Sequence, residues 1–143
     1  MGAARKAVGV DLGSRRIGIA VSDGTRALAF PRPCIERHGE RSLDHRAIAA
    51  VVEEEGADVV VVGLPLSLDG SRGPAALAAT REARALAAVL AGQGVRVETF
   101  DERLTTVSAT SALAAAGADG RQRRVRVDSA AAAVLLQSWL DAR

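Results

Sequence analysis

The feature that most restricts the fold is a run of four valines, Val59 to Val62, placed directly after a helical pattern. A strand with no polar face has nothing to give to water. It belongs inside a parallel sheet covered by helices on both sides. The flanking sequence supplies such covers. Ser42 offers an N-cap, and Leu43, Ala47, Ile48, Val51 and Val52 recur at helical spacing as far as Gly56, a natural stop. After the valines, Leu64 to Pro74 reads as a Gly/Pro loop, with Pro74 suited to a first helical position. Ala75 to Ala91 then reads as an Ala-rich helix with Leu77, Leu86, Val89 and Leu90 on its apolar side, ended by Gly92 and Gly94. Val95 to Phe100 is a further strand, parallel because a helix carries the chain back across the sheet.

The N-terminal part follows strand periodicity. Ala7 to Leu12 and Arg16 to Asp23 flank the turn residues Gly13 and Ser14, which predicts a hairpin. Leu28 to Ile35 contains Pro31 and Pro33 and is predicted as an edge strand, because proline cannot donate to a ladder. Downstream, a helix is expected from about Thr105 to Ala116, then a polar, basic and mobile stretch from Ala118 to Val127. Asp128 is expected to open a last helix carrying Val134, Leu135, Trp139 and Leu140. The order β-β-β-α-β-α-β-α-α predicts a single α/β domain over residues 1–143, a five-stranded mixed sheet with helices on both faces. The ribonuclease H-like fold is the leading arrangement with that order at this length.

Composition narrows the function classes. Hydrophobic residues make up 48% and charged residues 25%, ordinary globular values. No apolar run approaches the roughly 18 residues of a membrane span, and the first ten residues hold no apolar leader. A soluble cytoplasmic protein without membrane partners is expected. One cysteine, Cys34, excludes an internal disulfide framework and a multi-cysteine zinc site and reads as a small packing residue. The net charge is only +2 despite a pI of about 9.4, so the placement of charge matters more than its sum. Arg121, Arg123, Arg124 and Arg126 concentrate positive charge before the last helix. Two Phe, one Trp and no Tyr argue against an aromatic platform for single strands, and Trp139 reads as core. His38 and His45, in an Arg-rich stretch, read as surface residues.

Ligands of open α/β sheets bind outside the carboxyl ends of the strands. Asp11 lies at the end of the first strand, Asp101 and Glu102 at the end of the last, and Asp128 at the predicted start of the last helix. Converging carboxylates without His or Cys suit a hard cation, Mg²⁺ or Mn²⁺, and such sites run phosphoryl transfer to water. Local structural roles compete: Asp11 as a turn residue, Asp101 or Glu102 as loop acids, Asp128 as an N-cap.

Four motifs carry a resemblance. Val10 to Asp23 (VDLGSRRIGIAVSD), Val62 to Gly70 (VGLPLSLDG), Asp101 to Thr106 (DERLTT) and Val127 to Ala132 (VDSAAA) arrive in the order seen in the YqgF-type family of pre-16S ribosomal RNA nucleases, also called Holliday-junction-resolvase-like proteins. The chain resembles that family over nearly its whole length. The resemblance implies a ribonuclease H-like fold and a metal-dependent nuclease acting on structured nucleic acid, with processing of the 5′ end of pre-16S rRNA as its task. It implies Asp11, Glu102 and Asp128 as metal ligands, with Asp101 beside them in the catalytic set. Arg15, Arg16, Arg121, Arg123, Arg124 and Arg126 are expected to contact phosphates. Mg²⁺ or Mn²⁺ is expected to bind weakly without substrate, because close carboxylates repel one another and substrate phosphate completes the shell. Two other readings are a Holliday-junction DNA resolvase and a non-catalytic nucleic-acid-binding or ribosome-assembly module. The sequence holds no base-reading element, so RNA and DNA, and monomer and homodimer, stay open.

Overall fold

The structure is a computed structural model that describes residues 5–105 and 120–143, with residues 120–128 described by their backbone path. Strands β1 (Ala7–Leu12), β2 (Arg16–Ser22), β3 (Ala29–Glu36), β4 (Val59–Leu64) and β5 (Arg96–Asp101) form one sheet in the order β3-β2-β1-β4-β5. The helices are α1 (Arg41–Glu55), α2 (Pro74–Ala91) and α3 (Gly120–Asp141), and a 3-10 turn covers Glu102–Leu104. Of the helix expected from about Thr105 to Ala116, Thr105 is extended, at φ −67° and ψ 143°, and the rest lies outside the described residues. No described helix is long and apolar enough to cross a membrane.

The hairpin expectation holds: β1 and β2 pair antiparallel, with Asp11 opposite Gly18. β4 pairs in parallel with both β1 and β5. Val59, Val60, Val61 and Val62 have no exposed surface. Each contributes about 1.5–3 kcal/mol relative to leaving the side chain in water. Alternation along the strand splits them between two cores. Val60 and Val62 join Val8, Val10, Ile48, Val52, Leu86 and Leu90 beneath α1 and α2. Val59 and Val61 join Ala132, Leu136 and Trp139 beneath α3. β3 pairs with β2 alone, so the prolines sit on the edge as predicted.

Three local expectations need correction. α1 begins at Arg41 after Glu40, without a side-chain cap, so Ser42 lies inside its first turn; Gly56 does end it, at a φ of 68°. The buried face of α2 carries Ala76, Ala79, Glu82, Ala83, Leu86 and Leu90, whereas Leu77 and Val89 are exposed. In so Ala-rich a helix the apolar phase is weak, and close approach to the sheet favours the small side chains. Asp128 does not open α3, and the stretch after Gly120 is helical rather than loop. From Arg121 to Asp141 there is no Gly or Pro, and Arg and Gln are good helix formers. The break falls at Ser129, at φ −121° and ψ 15°. Its fully buried side chain accepts from the Ile19 N–H (3.1 Å) and donates to the Arg32 carbonyl (2.5 Å), which pins the helix to the sheet there.

Candidate active site at the carboxyl ends of the parallel strands

Three parallel strands, β1, β4 and β5, end side by side. Asp11 is the penultimate residue of β1, and Glu102 opens the 3-10 turn directly after β5. β4 lies between them. Its residue at that level is Gly63, opposite Phe100. A Cβ on Gly63 would stand 2.6 Å from Glu102 Oε1 and 3.1 Å from Cγ. Glycine here is the space through which Glu102 crosses β4 to reach Asp11. Their carboxyl groups approach closely enough to hydrogen-bond when one of them is protonated. Burial raises the Asp11 carboxyl above its ordinary range, opposed by the bond from Glu102. Glu102 is raised by burial, by the charges of Asp11 and Asp101, and by its bond to Asp11. No cation neutralises this pair among the described residues.

Asp101 is used differently. Its carboxylate accepts from the Arg103 backbone N–H (2.9 Å) and from the Arg103 guanidinium at Nε (3.0 Å) and Nη2 (2.6 Å), which holds it below the ordinary carboxylate range. Arg103 Nη1 also reaches the Leu68 carbonyl at 3.2 Å, so the Asp101–Arg103 pair fixes the loop after β4. Of the two adjacent acids, Glu102 faces Asp11 and Asp101 builds the turn.

Asp128 is described by its backbone. α3 runs from Ser129, bonded at Ile19, to Gln137, whose Oε1 accepts from the Ala29 N–H at 2.9 Å. Ile19 pairs with Val10, and Ala29 pairs with Ser22 at the far end of β2. The helix therefore runs antiparallel to β1, and residue 128 lies toward the end where β1 finishes. Its carboxylate lies outside the described residues, as do the side chains of Arg121, Arg123, Arg124 and Arg126. Among the described residues no group of three His, Cys, Asp or Glu is arranged to hold a metal ion. Arg15 is exposed at the hairpin turn, while Arg16 pairs with Glu36 at 3.0 Å on the surface.

Beside Asp11 and Glu102 opens a cleft of about 410 Å³, lined also by Gly13, Gly63, Arg37 and Glu82. Its wall is a polar network that the sequence reading missed. Arg37 binds both oxygens of Glu82, at 2.7 and 3.1 Å, and Asp44 Oδ2 at 3.3 Å. His45 Nε2 stands 3.0 Å from Glu82, and His38 Nδ1 stands 2.9 Å from Asp44. His45 is 2% exposed, which corrects its reading as a surface residue; His38 keeps a half-exposed ring. The available signal was Glu82 itself, a carboxylate in phase with Ala79, Ala83, Leu86 and Leu90 on the buried face of α2.

Comparison with known proteins identifies the family and the fold. The RuvX family model, described as Holliday junction resolvase, matches residues 5–142. A protein of Anaeromyxobacter sp. (strain Fw109-5) named "Putative pre-16S rRNA nuclease" is 48% identical over 137 residues, covering 95% of this chain and 96% of its own. A relative of the same name from Mycolicibacterium paratuberculosis is 47% identical over 95% of this chain and 80% of its own. Among solved structures, Thermus thermophilus RuvC in complex with a Holliday junction substrate superposes with a TM-score of 0.60 at 17% identity, covering 97% of this chain and 95% of that one. The yeast mitochondrial Holliday junction resolvase gives 0.54 at 9% identity, over 96% and 78%. Those two likenesses establish the ribonuclease H-like fold. The full-length family match and the close relatives go further: the chain belongs to the RuvX family.

Proposed function

We propose that the protein is a metal-dependent phosphodiester-cleaving nuclease acting on structured nucleic acid, with processing of the 5′ end of pre-16S rRNA as its task. The observation that carries this reading is the Asp11–Glu102 pair, two half-buried carboxyl groups meeting over Gly63 with no basic side chain of the described residues paired with them. The donor set fits a hard divalent cation, since it offers carboxylate oxygens and no His or Cys. Asp11, Glu102 and Asp128 would hold Mg²⁺ or Mn²⁺, the third from the adjoining end of α3. When bound, the cation supplies Lewis-acid polarisation of the phosphoryl oxygen and lowers the pKa of a coordinated water.

The chain's own residues perform the rest. Both carboxyl groups must be ionised to act as ligands, so raised carboxyl pKa values make metal binding favour higher pH. Asp101 and Arg103 brace the turn that carries Glu102. Arg15, with Arg16 and the arginines of the first part of α3, supplies phosphate contacts that position the backbone without reading its sequence. A second reading, a DNA resolvase of four-way junctions, is favoured by the family description and by the RuvC complex.

The test is a cleavage assay on a base-paired pre-16S leader RNA and on a four-way DNA junction, each with Mg²⁺, Mn²⁺ or chelator. The proposal expects metal-dependent cuts in the RNA. Cuts confined to the junction favour the resolvase reading. Chelator-insensitive binding without any cleavage would leave a non-catalytic module.

A further inference from the structure

We propose that Arg37 is a positioning residue of this site: it clamps the turn that follows Asp11 and so sets where the Asp11 side chain stands. The proposal rests on the nuclease reading for its kinetic test. Arg37 is the residue after β3, where it meets the hairpin turn. Its backbone N–H donates to the Arg15 carbonyl at 2.9 Å, and its Nε donates to the Gly13 carbonyl at 3.0 Å. Between those anchors, the Gly13 N–H donates to the Asp11 carbonyl at 3.1 Å. One residue thus holds both sides of the turn, and the next link in the chain of bonds is Asp11.

The clamp is itself held. The guanidinium fork takes both Glu82 oxygens from α2 and one Asp44 oxygen from α1. Asp44 also accepts the His38 backbone N–H at 2.8 Å, and His45 Nε2 stands 3.0 Å from the same Glu82 Oε2 that Arg37 Nη1 holds. The side chains of Asp44, Glu82 and His45 are all at least nine-tenths buried, and that of Arg37 is 19% exposed. The two helices under the sheet are in this way mechanically tied to the turn beside the active acids. A bidentate arginine–carboxylate pair is the geometry that transmits orientation rather than charge alone.

The obvious competing role for an arginine in a nuclease cleft is to bind substrate phosphate. Here two buried carboxylates offset its charge, and Nε, Nη1 and Nη2 all have protein partners. Arg15, exposed on the same turn, is the better phosphate ligand.

Arg37→Lys keeps the charge, but one ammonium cannot span Gly13 and both Glu82 oxygens. Three quantities are read on it: steady-state cleavage in Mn²⁺, the salt slope of binding, and amide hydrogen exchange at Gly13 against Val61 in β4. The account expects kcat to fall by about ten- to a hundredfold with KM within about twofold, since misplacement without lost substrate contact falls on kcat. The salt slope stays unchanged, and Gly13 exchange speeds up by about tenfold while Val61 does not move. Should Arg37→Lys fail to fold, Arg37→Gln with both Glu82→Gln and Asp44→Asn removes the buried charge from both sides and should give the same pattern. A folded variant with kcat within about twofold of wild type overturns the proposal, as does a salt slope lower by about one unit with a raised KM, the mark of a phosphate ligand. If the wild-type protein cleaves no nucleic acid under any metal condition, the nuclease reading fails by itself. Gly13 exchange then decides the clamp alone, faster exchange supporting it and unchanged exchange refuting it.

Discussion

Two pairs of acidic residues can be compared, Asp11 with Glu102 in the cleft and Asp44 with Glu82 around Arg37, and burial acts on both in the same direction. Asp11 and Glu102 are raised above the ordinary carboxylate range, whereas Asp44 and Glu82, which are more deeply buried, are lowered. For Asp44 and Glu82 burial is also the largest single influence and also works upward. It is outweighed by the His38 and Arg37 bonds to Asp44 and by the Arg37 and His45 bonds to Glu82. The comparison separates structural acids from functional ones. A pair compensated from within the chain is part of the scaffold, and a pair left to face itself is open to a cation from outside.

Breaking the uncompensated pair should have the largest effect. Asp11→Asn or Glu102→Gln removes a negative ligand with little change of shape, and cleavage should fall at least about a hundredfold, since a bound cation contributes several kcal/mol of transition-state stabilisation. Circular dichroism should show the fold intact. Asp128→Asn should behave the same way if it is the third ligand; full activity in that variant would remove it from the set.

Breaking the compensated pair should instead cost stability. Arg37→Met leaves two buried carboxylates without their cation, at about 3 kcal/mol near neutral pH. The groups concerned have lowered pKa values, so their contribution is present above the ordinary carboxyl values of 3.8 and 4.5 and is lost as pH falls through the folded ones. The gap between wild type and Arg37→Met in urea melts should close in acid. A gap that persists would mean that packing, not charge, is what Arg37 contributes.

A smaller effect should sharpen the geometry. Gly63→Ala places a methyl group 2.6 Å from the end of the Glu102 side chain, which can swing aside. Stability should change by less than about 1 kcal/mol. Cleavage should drop about tenfold as Glu102 leaves Asp11. The smallest effect is expected at Arg15→Ala: a salt slope lower by about one unit, with similar loss on every sequence tested.

The sheet was legible from the chain because each strand carried a physical constraint: valines that cannot face water, prolines that cannot sit inside a ladder, a Gly-Ser turn between two β runs. Asp11 and Glu102 were legible as acids at strand ends. Which of Asp101 and Glu102 meets Asp11 was not, because the choice turns on Arg103 capturing Asp101 just where the strand becomes a 3-10 turn. The Arg37 network was invisible for a different reason. Its members come from the end of β3, from α1 and from α2, and they meet only after the helices have packed. His45 looks like a surface residue among arginines until Glu82, thirty-seven positions on, is brought against it.

The central claim is that the Asp11–Glu102 pair is uncompensated, and thermal melting in chelator tests it without reference to activity. Raised pKa values mean that the pair's contribution to stability is present below the ordinary carboxyl range and is lost as pH rises through the folded values. Metal-free Glu102→Gln should therefore melt above wild type near pH 7, with the advantage shrinking toward about pH 4 as the wild-type pair takes up its proton. A Glu102→Gln protein that melts below wild type near pH 7 would show that Glu102 has a cationic partner, and the distinction between the two pairs would fall.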